Sequence, residues 1–258
     1  MRRNKTKERD AMKKGIYILP NLFTTGNIFF GFFSIISALN GQYAWAAVLI
    51  MIACVLDGLD GKIARFTKTT SRFGIEYDSL SDLVSFGMAP ALLAYLWALS
   101  PYGRAGWIMS FFFVVCGALR LARFNVQSPA MDGKTFVGLP IPAAAMMVAS
   151  TVVFREFMGG TGMFTHPVIP FAMIALSLLM VSNIRYYSFK DLDFFARKPF
   201  MTFVSIVLIF VVIVMHPQVM LFAFALAYML SGPSWTVFRA VGGRKEEPVP
   251  EPREKHGF

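Results

Sequence analysis

Long apolar runs dominate the chain, and short polar or basic connections separate them. Eight runs approach the roughly 20 residues that a helix needs to cross hydrocarbon: residues 21–39, 43–65, 75–98, 106–124, 138–157, 167–187, 200–215 and 217–238. They are too long and too little alternating for barrel strands, and backbone polar groups in lipid must be satisfied within each segment, so all read as helices. Gly and Pro punctuate their ends, at Asn40-Gly41, Ser100-Pro101, Gly159-Gly160 and His216-Pro217. The run at 200–215 is short and its break from the next, at Pro217, is tight, which makes that hairpin the least sharply marked. Many runs follow the first, so it reads as a span and not as a removable signal. The expected fold class is all-α: a polytopic transmembrane helical bundle of about eight spans. A basic N-terminal segment (1–15) precedes the membrane domain (16–238), and a tail rich in Pro, Glu and Lys (239–258) reads as disordered.

Composition agrees, with 56% hydrophobic and 16% charged residues, a balance too apolar for an ordinary soluble domain of 258 residues. Charge sets the orientation. The net charge of +10 comes from cations between and beyond the apolar runs. With eight spans and a cytoplasmic N-terminus, 23 of the 25 Lys and Arg fall on the cytoplasmic side and only Arg104 and Arg155 fall outside it. Retention of cations in cytoplasmic loops therefore places both termini in the cytoplasm. The basic tails read as topology determinants that also touch anionic membrane lipids. They lack interleaved aromatics and a binding fold, so no nucleic-acid partner is expected. Cys54 and Cys116 both sit in apolar runs, which excludes a disulfide framework, and with no His nearby they make no zinc site.

Carboxylates are rare in membrane spans, because each costs about 2.5 to 3.5 kcal/mol at a helix centre, so acids there usually mark a site. Four cluster here: Asp57 and Asp60 near the end of the second run, Asp78 and Asp82 near the start of the third. At about 100° per residue, Asp57, Asp60, Gly61 and Ala64 fall within roughly a 100° arc of one helix face. Asp78 and Asp82, four apart, share a face of the next helix. The short basic connection from Phe66 to Phe73 makes the two helices antiparallel neighbours, so both faces converge near the cytoplasmic boundary. Four carboxylates in a partly dehydrated cleft repel one another unless positive charge intervenes. An all-oxygen set without thiolate or imidazole suits a hard divalent metal such as Mg2+ or Mn2+, and such ions keep positions open for phosphate oxygens. Gly61 and Ala64 remove bulk beside the acids, where a ligand would approach; taken alone, two small residues would read as a helix-packing surface.

The stretch from Asp57 to Asp82 reads D-x2-D-G-x2-A-R-x8-G-x3-D-x3-D, and it resembles the signature of the CDP-alcohol phosphotransferases with every fixed position filled. Further stretches are similar to the CDP-diacylglycerol–serine O-phosphatidyltransferases, the integral-membrane phosphatidylserine synthases of that family. These are Leu19-Pro20-Asn21-Leu22-Phe23-Thr24, the segment from Asp78 to Gly87, that from Cys116 to Asn125, and Gly138-Leu139-Pro140-Ile141-Pro142. The likeness covers roughly residues 15–235, and the last two runs are less distinctive.

The resemblance implies transfer of the phosphatidyl group from CDP-diacylglycerol to L-serine, giving phosphatidylserine and CMP, by a homodimer in the cytoplasmic membrane with its active site facing the cytoplasm. By that analogy Asp57, Asp60 and Asp78 hold metal against the pyrophosphate, Asp82 contributes a ligand, and Asp82 is also the general base for the serine hydroxyl. Asn21, Thr24, Gly61, Ala64, Arg65 and Gly74 would line the CDP-diacylglycerol side. For Arg65 a snorkelling anchor at the interface stays open as an alternative. Serine carries a carboxylate, which arginine grips in a bidentate fork, so Arg120, Arg123 and Asn125 at the end of the fourth run are candidates for holding it. Positive-inside anchoring is their other reading. Arginine would equally grip a phosphorylated polyol, so the same chemistry with glycerol 3-phosphate or an inositol compound remains as an alternative. A cation channel or transporter is a remote one, since it leaves the fixed Gly, Ala and Arg positions unexplained.

Overall fold

The computed structural model describes residues 2–66, 71–127, 135–187 and 215–241. Seven helical elements follow one another: α1 (Arg2–Leu39), α2 (Tyr43–Phe66), α3 (Arg72–Tyr102), α4 (Arg104–Gln127), α5 (Ile141–Phe157), α6 (Val168–Val181) and α7 (Pro217–Val241). Two short strands, β1 (Thr135–Val137) and β2 (Arg185–Tyr187), pair antiparallel with Phe136 opposite Tyr186. The architecture is thus helical as the apolar runs require, with one three-residue ladder added.

Among the described residues, five segments are long and apolar enough to cross a membrane: Pro20–Leu39, Tyr43–Ile63, Arg72–Tyr102, Arg104–Val126 and Pro217–Thr236. The expected spans at 138–157 and 167–187 correspond to shorter helices, of 17 and 14 residues. Their ends have backbone tasks of a different kind. The Gly138 N–H donates to the Ile184 carbonyl (2.8 Å) and the Leu139 N–H to the Leu179 carbonyl (3.0 Å), so α5 starts only after Pro140. At the end of α6 the Ser182 hydroxyl donates back to the Leu179 carbonyl (2.8 Å) and accepts from the Ile184 N–H (3.4 Å). A serine bonded in this way offers the backbone an alternative to continuing the helix. Of the expected run at 200–215, residues 200–214 lie outside the described residues, as does the tail after Val241; α7 runs three residues past the expected domain end at 238.

Large apolar side chains such as Phe29, Phe32, Leu39, Val55, Phe111 and Phe171 stand exposed, the surface a bundle presents to lipid and not to water. Inside, the helices meet through small and hydroxyl-bearing residues, as membrane helices do when close packing and interhelical hydrogen bonds replace the hydrophobic drive. The Ser34 hydroxyl of α1 donates to the Ala46 carbonyl of α2 (2.8 Å). Further towards the start of α1, Ser81 and Ser85 of α3 donate to the carbonyls of Thr24 (3.2 Å) and Asn27 (2.9 Å).

α3 is α-helical to Asp82, π-helical over Leu83–Met88, α-helical again over Ala89–Ala94, π-helical over Tyr95–Leu99, and closes in a 3-10 turn. The first π stretch begins immediately after an acid of the cluster. Such widenings recur at functional sites because they re-aim neighbouring side chains. Here the widened turn lies against α1 at Gly31, where a Cβ would come within 2.7 Å of the Ser85 Cα. Gly31→Val is therefore expected to destabilise the bundle by about 1–3 kcal/mol, the usual penalty for overpacking. Thermal unfolding in detergent measures it, and an unchanged midpoint would remove Gly31 as the point that sets the α1–α3 distance.

Candidate active site

The end of α2 and the beginning of α3 bring their acids together. One carboxylate oxygen from each of Asp57, Asp60 and Asp78 lies within 4.8 Å of the others. Asp82, one turn beyond Asp78, is buried and close enough to Asp57 for their side chains to hydrogen-bond. The four acids of the signature thus lie together, three of them converging and Asp82 next to Asp57.

Two features suit this cluster of acids to a positive charge. Asp78 Oδ1 is buried without a hydrogen-bond partner, an uncompensated acceptor aimed into protein. Among the described residues the one buried base is Arg120, within electrostatic reach of Asp82, so four formal negative charges face a single guanidinium. All the donors are carboxylate oxygens, the set that suits a hard divalent cation, and the three convergent oxygens are spaced to share one.

The shell around the acids comes largely from α1. The buried Thr24 hydroxyl lies 2.9 Å from Asp60 Oδ2, and the Gly61 backbone N–H also donates to the Asp60 carboxylate. Thr24 therefore orients a candidate metal ligand, a more specific place than the general polar contact expected of it. Asn21 reaches the start of α3, where its Oδ1 would stand 3.6 Å from a Cβ at Gly74. The Gly74 N–H donates to Ser71 Oγ (3.0 Å), the N-cap that starts α3 at this point. The side chains of Ala64 and Arg65, at the end of α2, lie outside the described residues.

On α4 the three acceptor candidates part company. Arg120 is 8% exposed, its Nε has no hydrogen-bond partner, and its guanidinium lies 5.8 Å from the Phe124 ring centroid. Arg123 turns to the end of α6, donating to Asn183 Oδ1 (2.7 Å) and to the Val181 carbonyl (3.5 Å). Asn125 Nδ2 donates to Ser79 Oγ (2.9 Å), tying α4 to α3 beside Asp78. Glu76, within the signature but at a variable position, is exposed.

Several site residues carry no mark in the signature. Asn27 is fully buried, with Nδ2 3.5 Å from Asp82 Oδ1 and its own Oδ1 unpaired. Its signal was available, because Thr24, Asn27 and Gly31 repeat at helical spacing and so share one face of α1. The Thr25 hydroxyl also meets the Tyr77 hydroxyl at 3.0 Å, a second polar tie between α1 and α3. A cavity of about 490 Å³ opens near the α1–α2 turn, lined by Gln42, Tyr43, Trp45, Trp97, Glu156 and Thr161 among others. It stands about 20 Å along α2 from the acids, at 1.5 Å per residue, and is separate from the chemistry.

Comparison with known proteins covers the part of the chain that carries these residues. A family profile described as CDP-alcohol phosphatidyltransferase matches residues 17–168. The chain is 42% identical over 199 residues to a CDP-diacylglycerol–serine O-phosphatidyltransferase of Helicobacter pylori, covering 76% of this chain and 83% of that protein. It is 36% identical over 173 residues to the Bacillus subtilis protein of the same name, covering 67% and 91%. An archaetidylserine synthase of Methanothermobacter thermautotrophicus is 39% identical over 170 residues, covering 65% and 69%. The match spans more than half of the chain and includes the helices that carry all four converging acids: the chain belongs to the CDP-alcohol phosphatidyltransferase family.

Proposed function

We propose that the protein is a membrane-embedded enzyme that transfers the phosphatidyl group of CDP-diacylglycerol to L-serine, releasing CMP. The observation that carries this is the convergence of Asp57, Asp60 and Asp78 beside a buried acid, Asp82, and a buried base, Arg120. The relatives' names favour serine over glycerol 3-phosphate or inositol as acceptor, since serine recurs in bacterial and archaeal names while the lipid differs.

Asp57, Asp60 and Asp78, with Asp82 adjoining, would hold a divalent cation, Mg2+ or Mn2+, which when bound would offset the negative charge of the donor's pyrophosphate and of the departing CMP. The chain's own residues do the rest. Thr24 and the Gly61 N–H fix the Asp60 carboxylate. Asn21, Gly61, Ala64, Arg65 and Gly74 border the side on which the cytidine end of the donor enters. Arg120 receives the carboxylate of serine, with Arg123 and Asn125 bordering the entrance. Asp82 takes the proton of the serine hydroxyl as its oxygen bonds to the phosphorus bearing diacylglycerol, and the bond from that phosphorus to the CMP oxygen breaks. The acyl chains stay in the bilayer between helices throughout.

The distribution of Lys and Arg supports a cytoplasmic-membrane location with eight spans, both termini inside and the acids at the inner boundary. In the same reading, residues 1–15 form a basic cytoplasmic segment, 16–238 the membrane domain and 239–258 a tail, and the working form is a homodimer. The test is an acceptor panel. Purified protein with CDP-diacylglycerol and Mn2+ or Mg2+ is expected to release CMP on addition of L-serine and not of glycerol 3-phosphate or inositol. Robust release with another alcohol and none with serine would reject the serine assignment.

A further inference from the structure

The family profile ends at residue 168, yet the fold returns a much later residue to the active site. Tyr228, in the middle of α7, lies within electrostatic range of Arg120, and the packing leads to the same place: Arg123, one turn on from Arg120, donates to Asn183 Oδ1 (2.7 Å), two residues before β2. A clamp fixes it there. The pairing of β2 with β1 holds Tyr186, which is fully buried. The Tyr186 hydroxyl donates to the Met229 carbonyl of α7 (3.2 Å), and its ring lies 5.6 Å, centroid to centroid, from that of Tyr228. The same ring lies against Gly232, where any Cβ would enter it. One turn of α7 is thus closed on a single buried aromatic, and Tyr228 cannot swing away from Arg120 without breaking that contact.

Arg120 therefore has both Asp82 and Tyr228 within electrostatic range, and its buried Nε has no hydrogen-bond partner. A planar carboxylate matches such a pair, because guanidinium N–H groups and a phenolic O–H can all donate to its two oxygens. We propose that Tyr228 completes the acceptor pocket, receiving the carboxylate of the amino-acid acceptor together with Arg120 and so directing the acceptor's hydroxyl toward Asp82. The inference rests on the assignment of Arg120 to the acceptor given above. It also gives a physical reason for refusing phosphorylated polyols: a phosphate dianion at this place meets one positive charge and a neutral phenol, with Asp82 close by to repel it.

Tyr228→Phe keeps the ring against Tyr186 and removes only the hydroxyl. It is expected to raise KM for L-serine about tenfold, the loss typical of one hydrogen bond to a charged group, while KM for CDP-diacylglycerol and kcat stay within about threefold. Ethanolamine has the hydroxyl and the ammonium but no carboxylate, so the preference for serine over ethanolamine, as a ratio of kcat/KM, should fall by a similar factor. An unchanged serine KM, or an equal rise in both substrates' KM values, overturns the proposal. Arg120→Lys separates it from its premise. If that variant leaves the serine KM untouched, the assignment of Arg120 fails; if it raises the serine KM and Tyr228→Phe does not, only the role of Tyr228 fails. Should Tyr228→Phe not fold, Tyr228→Gln, which retains a donor, must keep more of the serine preference than Tyr228→Leu, and equal preferences overturn the proposal.

Discussion

Asp82→Asn is expected to lower serine-dependent CMP release by about 10²–10⁴-fold, the range for loss of a general base, while binding of CDP-diacylglycerol is largely preserved. The two carboxyl-bearing sides of the cluster differ in a way that supports this separation. Asp57, Asp60 and Asp78 present oxygens to one another across 4.8 Å or less, whereas Asp82 stands one turn further along α3, 3.5 Å from the Asn27 amide and within electrostatic range of Arg120. A group placed between metal-facing acids and a buried arginine is suited to meet the acceptor's hydroxyl. The carboxamide of Asn has nearly the same shape and can still face Asn27, but it cannot take a proton. Turnover is read as CMP released per minute, and donor binding by retention of labelled CDP-diacylglycerol in detergent. Turnover equal to that of the unmodified protein would discard the role of base for Asp82.

That pocket was legible in the sequence because its geometry is local. Asp57 and Asp60 share a turn of α2, Asp78 and Asp82 share a turn of α3, and the short connection leaves the two faces little choice but to converge. The partners of those acids were less visible because they depend on how distant helices dock. Asn27 and Asp82 are 55 residues apart, and nothing in either segment names the other. Tyr228 comes within electrostatic range of Arg120 on a helix that Tyr186, held in the β-ladder, grips from far away in sequence. The ladder itself has three residues per strand, too short for an alternation to register. Span boundaries slipped for a related reason: apolar content counts residues, while Gly138, Leu139 and Ser182 spend their hydrogen bonds joining segments and not extending a helix.

The second large effect concerns the metal-facing acids. Asp57→Asn and Asp60→Asn should each remove an anionic ligand from the three-oxygen set, so that half-maximal activity requires at least about 100-fold more Mn2+ or Mg2+ and the apparent affinity for CDP-diacylglycerol falls with it. Thr24→Val provides the graded comparison. It deletes the hydroxyl that holds Asp60 Oδ2 at 2.9 Å but leaves every carboxylate in place, and loss of such an outer partner typically weakens a metal site about 10–100-fold. The expected order of metal requirement is therefore unmodified protein, then Thr24→Val, then Asp60→Asn, with the serine KM little changed at saturating metal. Metal titrations of initial rate, after removal of bound ions with a chelator, measure that order. Should Asp57→Asn and Asp60→Asn lose turnover with no change in metal requirement, the three acids serve some end other than holding a cation. Should Thr24→Val instead equal Asp60→Asn, the hydroxyl of Thr24 is itself a ligand, and the donor side of the pocket begins on α1 and not on α2.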